Sequence, residues 1–436
     1  MSSSPSSVAS GPRKVLYRAL LVLFSLLISL ALGEMLVRFY ERRSLAMSSW
    51  LNADPFDLAK LKFNDTQVSR SKPAGEFRVL SFGDSFAYSI MSPQFSYAGL
   101  IASNLNRTLR GPKIRVVNFG EGATTARDYA AAHAFWAERI EHDGALFNIY
   151  MGNDILDVAY SYTQPKWSPN HLYLDEKYEL AAGLKKSPIP HKFPLRLLDY
   201  AYALYLTRFK MVETKPVAPA KETLPATPDD RFNPAANHNL TEDVFLNTNQ
   251  IQLDNFDPAK MDSLSAGYEA IATFFKYVSG VRQRGTKVLV VLSPNQAHVE
   301  PALRQRIAAK YKMDLSAHDL TLPARTITAI RDAVDPDIEL LDLSPYFVCA
   351  GERGEELYYL TNTHWGPEGN ALAARIISDY LARSWFGKTP PAADTGCDVA
   401  AYRSRFAKVD QARILRFVER LSGVESRRPK APAHVP

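Results

Sequence analysis

Four short blocks, far apart in the chain, carry residue types suited to acyl-transfer chemistry: Gly83-Asp84-Ser85, Gly120-Glu121-Gly122, Gly152-Asn153-Asp154 and Thr361-Asn362-Thr363-His364. A serine hydroxyl becomes a nucleophile when an imidazole takes its proton, and the same imidazole can return that proton to a leaving alcohol. Ser85 and His364 supply such a pair. The tetrahedral intermediate carries a negative oxygen, which needs convergent N–H donors. The main-chain N–H groups of Ser85 and Gly122 and the side-chain amide of Asn153 are donors of the right kind. A glycine at 122 also leaves no Cβ between backbone and ligand. Asp84 and Asp154 are expected to brace their turns rather than to react. Alone, Gly83-Asp84-Ser85 reads better as a plain turn, and Asn153-Asp154 can simply cap the next helix. All four together, in order, read as one site.

They can form a site only if the fold brings four turns to one edge. Phe77–Phe82, Ile114–Phe119 and Ala145–Met151 are short β-rich runs, and each ends at one of the first three blocks. Lys287–Leu292 is almost continuously apolar, as a strand buried on both faces must be. Ile338–Leu343 makes a fifth run. Helical patterns alternate with them: Tyr97, Leu100, Ile101 and Leu105; an Ala-rich stretch from Thr125 to Ile140; Leu264, Tyr268, Ile271, Phe275 and Val278 on one face; and Gly366 to Leu381. This alternation predicts a three-layer α/β/α sandwich around a central parallel sheet of about five strands. Ligands of such sheets bind outside the carboxyl ends of the strands, which is where the first three blocks fall.

In these blocks the sequence resembles the SGNH/GDSL hydrolases. Those enzymes have Gly-Asp-Ser after the first strand, a Gly after the second, Gly-x-Asn-Asp after the third and a late His. The third block here is one residue shorter, with Gly152 directly before Asn153. The His block and the apolar N-terminal segment look closest to the branch that holds alginate-type O-acetylation proteins. The resemblance covers about residues 76–155 and 263–385. It implies Ser85 as nucleophile, His364 as base, an oxyanion hole from Ser85, Gly122 and Asn153, and Asp84, Asp154 and Asn362 in support. It also implies an esterase or acyltransferase for O-acyl (O-acetyl) esters of an extracytoplasmic carbohydrate, with partner proteins of a polysaccharide-modification system. No Gly-x-Ser-x-Gly surrounds Ser85, which argues against an ordinary α/β-hydrolase elbow.

The acid that the family sets three residues before the His, or two in the related branch, is replaced here by Thr361 and Asn362. An Asp→Asn change in a serine protease triad costs ~10⁴ in turnover. Three arrangements stay open: a backbone carbonyl or another acid (Glu355, Glu356 or Asp342) orients His364; Asn362 does so as a neutral amide; or the protein is a catalytically weak SGNH-fold subunit that binds carbohydrate or acts as a scaffold. Trp365 is expected to pack or wall the pocket; His298, just past the fourth strand, can reach the site's edge, but a surface role is the favoured reading. Cys349 and Cys397 flank the His block and can pair outside the cytoplasm or stay as buried thiols. No His-Glu-x-x-His or similar spacing and no Gly-rich phosphate loop occurs, so neither metal nor cofactor is expected.

The chain has 436 residues, 46% hydrophobic and 22% charged, the balance of a globular protein. Its 52 Lys+Arg exceed 46 Asp+Glu by only six, with no basic stripe among aromatics, so nucleic acid is not an expected partner. Two cysteines exclude a disulfide-rich miniprotein. Ala19–Val37 is apolar except for Glu34 and would extend about 28 Å as a helix, enough to cross a bilayer core. Arg18 and Arg38 bracket it. The segment predicts an uncleaved signal anchor over residues 15–39 rather than a cleaved signal peptide, with a disordered tail at 1–14 and the large domain outside the cytoplasm. That domain is expected over 70–385, with an insertion at 155–262 that shapes a substrate site or a partner surface. The insertion holds a Leu- and Tyr-rich helix near Pro194–Lys210 and a Pro-rich linker at 213–236. A helical extension over 386–426, with one helix from Ala400 to Leu421, and a disordered tail at 427–436 complete the chain.

Overall fold

A computed structural model of the protein describes residues 12–47, 56–59, 63–160, 194–195, 197–199, 201, 231–233, 239–389 and 396–421. The expected tails beyond residues 12 and 421, most of the Pro-rich linker and most of the Pro194–Lys210 helix lie outside these residues. The chain divides into two units, one of residues 1–52 with 181–215, the other the rest.

The first unit contains helix α1 (Pro12–Met47). Within it, Leu16–Phe39 is long and apolar enough to cross a membrane, with a mean hydropathy of 2.5. Its apolar side chains are exposed. Glu34, the acidic residue inside this stretch, accepts from Arg38 Nε one turn on (2.7 Å) and from the Leu197 N–H (2.9 Å).

The second unit is built on five strands: β1 (Glu76–Gly83), β2 (Lys113–Asn118), β3 (Gly144–Tyr150), β4 (Lys287–Ser293) and β5 (Glu339–Asp342). All pair in parallel in the order β2-β1-β3-β4-β5. The order reverses between β1 and β3, and that crevice is where doubly wound sheets bind ligands. Every residue of β3 is buried, in keeping with its apolar sequence.

Helices alternate with the strands. The early ones are α2 (Ser85–Tyr88), α3 (Tyr97–Thr108), α4 (Ala126–Ala137) and α5 (Asp154–Ala159). Then follow α6 (Glu242–Gln252), α7 (Ser265–Gln283), α8 (Gln296–Val299), α9 (Pro301–Tyr311) and α10 (Leu322–Val334). The last are α11 (Ser344–Glu352), α12 (Pro367–Ser384), α13 (Val399–Phe406) and α14 (Gln411–Leu421). On one face of the sheet, Val79, Leu146 and Leu289 pack with Tyr97 and Ile101 of α3 and Leu372 and Ile376 of α12. On the other, Phe82 stacks on Phe119 and Phe147, and Phe147 meets Phe274 of α7 edge-on. Two helical layers thus cover one parallel sheet, as the sequence pattern predicts.

Two expectations change. The last part of the predicted insertion belongs to the folded unit: Phe245 and Leu246 of α6 pack with Leu303 and Ile307 of α9. The single helix expected over Ala400–Leu421 is two. At the break, the N–H groups of Lys408 and Val409 both donate to Asp319 Oδ2 (2.8 Å each), so a buried carboxylate takes the donors that a continuous helix would use internally. Cys349 and Cys397 form a disulfide that ties α11 to the segment leading into α13.

Candidate active site

Ser85 opens α2 at the end of β1. Asp84 is the N-cap, and its Oδ1 accepts the Phe86 N–H (2.9 Å), which fixes the turn. The helix sits so close to the strand ends that two neighbours must be glycine. A Cβ on Gly83 would lie 2.7 Å from Ala87 Cβ, and one on Gly120 would lie 2.1 Å from Tyr88 N. Ser85 is the first residue of α2, so its own N–H has no acceptor within the helix. Gly122 lies alongside: a Cβ there would come 3.8 Å from Ser85 Cβ.

His364 arrives from the other side of the molecule's sequence, on a narrow hairpin. Tyr358 and Trp365 form a bridge, and the Tyr359 N–H donates to the His364 carbonyl (2.8 Å). Its Nε2 lies 2.8 Å from Ser85 Oγ. Its Nδ1 faces two oxygens, Asn362 Oδ1 at 2.7 Å and the Asn362 carbonyl at 3.0 Å. Both oxygens can only accept, so Nδ1 carries the proton and the bare Nε2 accepts from the serine hydroxyl. Phe86 walls the ring at 5.0 Å and stacks on Tyr150 at 3.9 Å. Burial disfavours the imidazolium and lowers the His364 pKa to about 4. The ring is therefore neutral, and able to act as a base, across the neutral range.

Two of the acids considered as partners for His364 are engaged elsewhere. Asp342 accepts the Ser344 N–H (2.9 Å), and Glu355 pairs with Arg353 (2.7 Å). Asn362 fills the orienting position with its side chain and its main chain together. That geometry is held under strain, because Thr361 and Thr363 have φ of 55° and 67°. Left-handed backbone is uncommon for β-branched residues. Ser89 (φ 70°) and Ala123 (φ 60°) also have positive φ, at the end of α2 and beside Gly122. Four of the five non-glycine residues with positive φ among the described residues thus border this site, and such strain collects where surrounding structure over-determines the backbone.

Asn153 follows β3. Its Nδ2 donates to Asp157 Oδ2 (3.0 Å) one turn along α5, which sets the orientation of the amide. Asp154 is buried, and its Oδ2 accepts from Tyr129 Oη (2.7 Å) and the Tyr150 N–H (3.1 Å). Asp84 and Asp154 are both pushed above the usual carboxylate range, first by burial. The charge of Asp157 adds to this for Asp84, and that of Asp84 for Asp154. Burial and, after it, like-charge repulsion both act against the ionised forms.

Ser85, Gly122, Asn153 and His364 therefore come to the carboxyl edge of the sheet. Trp365 is buried and packs edge-on against Phe86 and Tyr97. His298 is not at the surface: it is fully buried, with Nε2 2.7 Å from Tyr402 Oη. The reason is α13, whose Tyr402 covers a position that β4 and α8 alone would leave open. Phe86 and Asp157 are residues beside the site that motif reading missed. Asp157 had a readable signal, a carboxylate four residues after Asn153 at a helix start. Among the described residues no cluster of His, Cys, Asp or Glu could hold a metal ion.

Comparison with known proteins gives one family match. Residues 260–410 match the family described as the SGNH hydrolase-like domain of the acetyltransferase AlgX. The match holds His364 but not Ser85, Gly122 or Asn153. No curated protein matches in sequence. Among solved structures, the chain is similar to a two-domain esterase (CEX) active on acetylated mannans, at 13% identity and a TM-score of 0.31. That alignment covers 73% of this chain and 52% of the other, so the chain spans about half the length of that esterase. It is also similar to LAE5, an α/β hydrolase from the metagenome of Lake Arreo, Spain, at 12% identity, covering 70% and 94%, with a TM-score of 0.33. A putative lipolytic protein of the G-D-S-L family from Desulfitobacterium hafniense DCB-2 aligns at 12% identity over 69% and 97%, with a TM-score of 0.28. The family match thus agrees with the resemblance read from sequence over the stretch that holds His364.

Proposed function

We propose that the protein is a membrane-anchored serine esterase or acyltransferase for O-acyl, in particular O-acetyl, esters of an extracytoplasmic carbohydrate, a reading that the match of residues 260–410 to an SGNH hydrolase-like domain supports. The observation that carries this reading is the 2.8 Å contact between Ser85 Oγ and a His364 ring whose other nitrogen is held by Asn362. Ser85 Oγ attacks the ester carbonyl carbon while its proton passes to His364 Nε2. The Ser85 and Gly122 N–H groups and the Asn153 amide stabilise the oxyanion. When the intermediate collapses, the sugar oxygen leaves with the proton from His364, and the acyl group stays on Ser85. Water or a second sugar hydroxyl then attacks the acyl carbon, gives its proton to His364, and Ser85 recovers it.

Asn362 replaces the acid at a cost. Two neutral oxygens select the productive tautomer, yet neither offers a charge to offset the imidazolium that forms in the transition state. Turnover is accordingly slow for this class. The same observation favours the second reading, a carbohydrate-binding or scaffold subunit that keeps the fold and little of the activity.

We place the catalytic domain at residues 70–385. Residues 231–233, where the insertion returns, support a role for it in substrate binding. The Ser92 N–H donates to the Arg231 carbonyl (2.7 Å), the Asn233 N–H to that of Ile90 (2.8 Å), and Phe232 packs on Tyr359 at 4.8 Å. Ser92 lies just past α2, and Tyr359 on the His364 hairpin. The apolar Leu16–Phe39 helix and the Cys349–Cys397 disulfide support a single-pass anchor with the domain in an oxidising compartment. Partner proteins of a polysaccharide-modification system fit this setting.

The test is p-nitrophenyl acetate turnover by the full-length protein in detergent, with an acetylated oligosaccharide as acetyl donor and a non-acetylated one as acceptor. Ser85→Ala is the control. Release of nitrophenol that Ser85→Ala abolishes supports the enzyme reading, and acetylated acceptor assigns transfer over hydrolysis. Equal rates in both proteins reject the enzyme and leave the binding subunit.

A further inference from the structure

The Ser85 and His364 blocks lie 279 residues apart in sequence, and their reacting atoms must be aligned to a few tenths of an ångström. A 1 Å displacement costs about 10²-fold in rate. Behind the pair, on α12, sits Asn370, which is 2% exposed. Its Oδ1 accepts the Tyr97 N–H at the start of α3 (2.9 Å) and the Ser89 hydroxyl (3.4 Å). Its Nδ2 donates to the carbonyls of Trp365 (3.1 Å) and Gly366 (3.0 Å). Two main-chain acceptors on one side and a main-chain donor with a hydroxyl on the other admit one orientation of the amide.

These four partners are the frame of the site. Trp365 is the residue after His364. Ser89 caps the helix that begins at Ser85, with its own N–H on the Ser85 carbonyl (2.9 Å) and its Oγ accepting the Met91 N–H (3.1 Å). Ser89 also has a φ of 70°, so its backbone is held in a conformation it would not choose alone. One carboxamide thus links the main chain that carries the base to the cap of the helix that carries the nucleophile.

We propose that Asn370 is a positioning residue that sets the alignment of His364 Nε2 with Ser85 Oγ. The proposal rests on the serine-enzyme reading above. Asn370 does not touch substrate; it acts through the two blocks it joins. Its loss lets the His364 hairpin and the α2 cap drift apart without altering the substrate pocket.

The experiment uses the full-length protein in detergent, with p-nitrophenyl acetate as substrate and rates normalised to the folded fraction by circular dichroism. Asn370→Leu keeps the approximate volume and removes all four hydrogen bonds. It is expected to lower kcat about 10- to 100-fold with KM within about twofold, and to slow fluorophosphonate labelling of Ser85 by the same factor. Wild-type kcat per folded molecule in Asn370→Leu overturns the proposal. Should that variant fail to fold, Asn370→Asp decides. Its protonated form restores an acceptor and one donor, so kcat is expected to recover as pH falls from about 8 to about 5.5, a buried carboxyl titrating above its usual range. A pH profile parallel to wild type overturns the proposal equally. A wild-type protein no faster than Ser85→Ala sinks the serine-enzyme reading itself, whereas active wild type with unaffected Asn370 variants sinks only the positioning role.

Discussion

Two of the imidazole–hydroxyl pairs among the described residues hold their protons in opposite ways. His298 Nε2 lies 2.7 Å from Tyr402 Oη, and that hydroxyl donates onward to the Leu320 carbonyl (3.4 Å). Nε2 therefore carries the proton, and the buried Nδ1 has no partner. His364 meets Ser85 at nearly the same distance, but Asn362 takes the Nδ1 proton and leaves Nε2 bare toward the hydroxyl. Burial lowers both pKa values, to about 3 for His298 and about 4 for His364. Close contact and a shifted pKa are thus common to a core histidine and a candidate base. The difference lies in what holds the far nitrogen, and in the part-exposed edge of His364 that a substrate can reach.

The comparison breaks most easily by substitution. His364→Ala or Ser85→Ala is expected to lower kcat at least about 10³-fold. His298→Gln should leave kcat per folded molecule within about threefold while lowering the melting temperature. Comparable losses at both histidines would erase the distinction. Next in size is Asn362→Asp, which adds the missing charge. It is expected to raise kcat by about 10- to 10³-fold, within the ~10⁴ that the reverse change costs in a serine protease. It should also move the acid limb of the pH–rate profile upward, since a carboxylate favours the imidazolium. A fall in kcat would mean that the neutral amide is preferred here.

Smaller effects come from pH alone. His364 must be neutral to accept a proton, so kcat/KM in the wild type should hold on the acid side until about pH 4. A limb near pH 6.5 would place His364 in water. Stability behaves likewise. His133, His298 and His364 all have folded pKa values below the 6.5 of the unfolded chain. The unfolded state then binds protons first, so their contribution is full above about pH 6.5 and is lost as pH falls toward 3–4. Asp84 and Asp154, raised by burial, contribute with the opposite sign and lose theirs as pH rises. The melting temperature should therefore pass through a maximum between these limits, and His298→Phe should flatten its acid side.

The sheet was legible in sequence because apolar runs that end in glycine turns leave few alternatives: β1, β2, β3 and β4 fall within a residue or two of their predicted limits. The edge of the site was legible for the same reason. What Asn362 does was not, because whether an amide or a carbonyl faces Nδ1 depends on the left-handed Thr361 and Thr363, which local propensity disfavours. His298 was misplaced because its cover comes from α13, 104 residues away. The break between α13 and α14 was hidden likewise, since Asp319 reaches it from a distant helix start. Long-range polar contacts of this kind leave no periodic trace.

The central claim is that His364 activates Ser85. The direct measurement is the rate and position of fluorophosphonate labelling in the full-length protein, mapped by peptide mass spectrometry in wild type and His364→Ala. The account predicts an adduct on Ser85 that forms readily in the wild type and at least about 10²-fold more slowly without the imidazole. Labelling of Ser85 at the same rate in both proteins, or none at Ser85 in either, would contradict it.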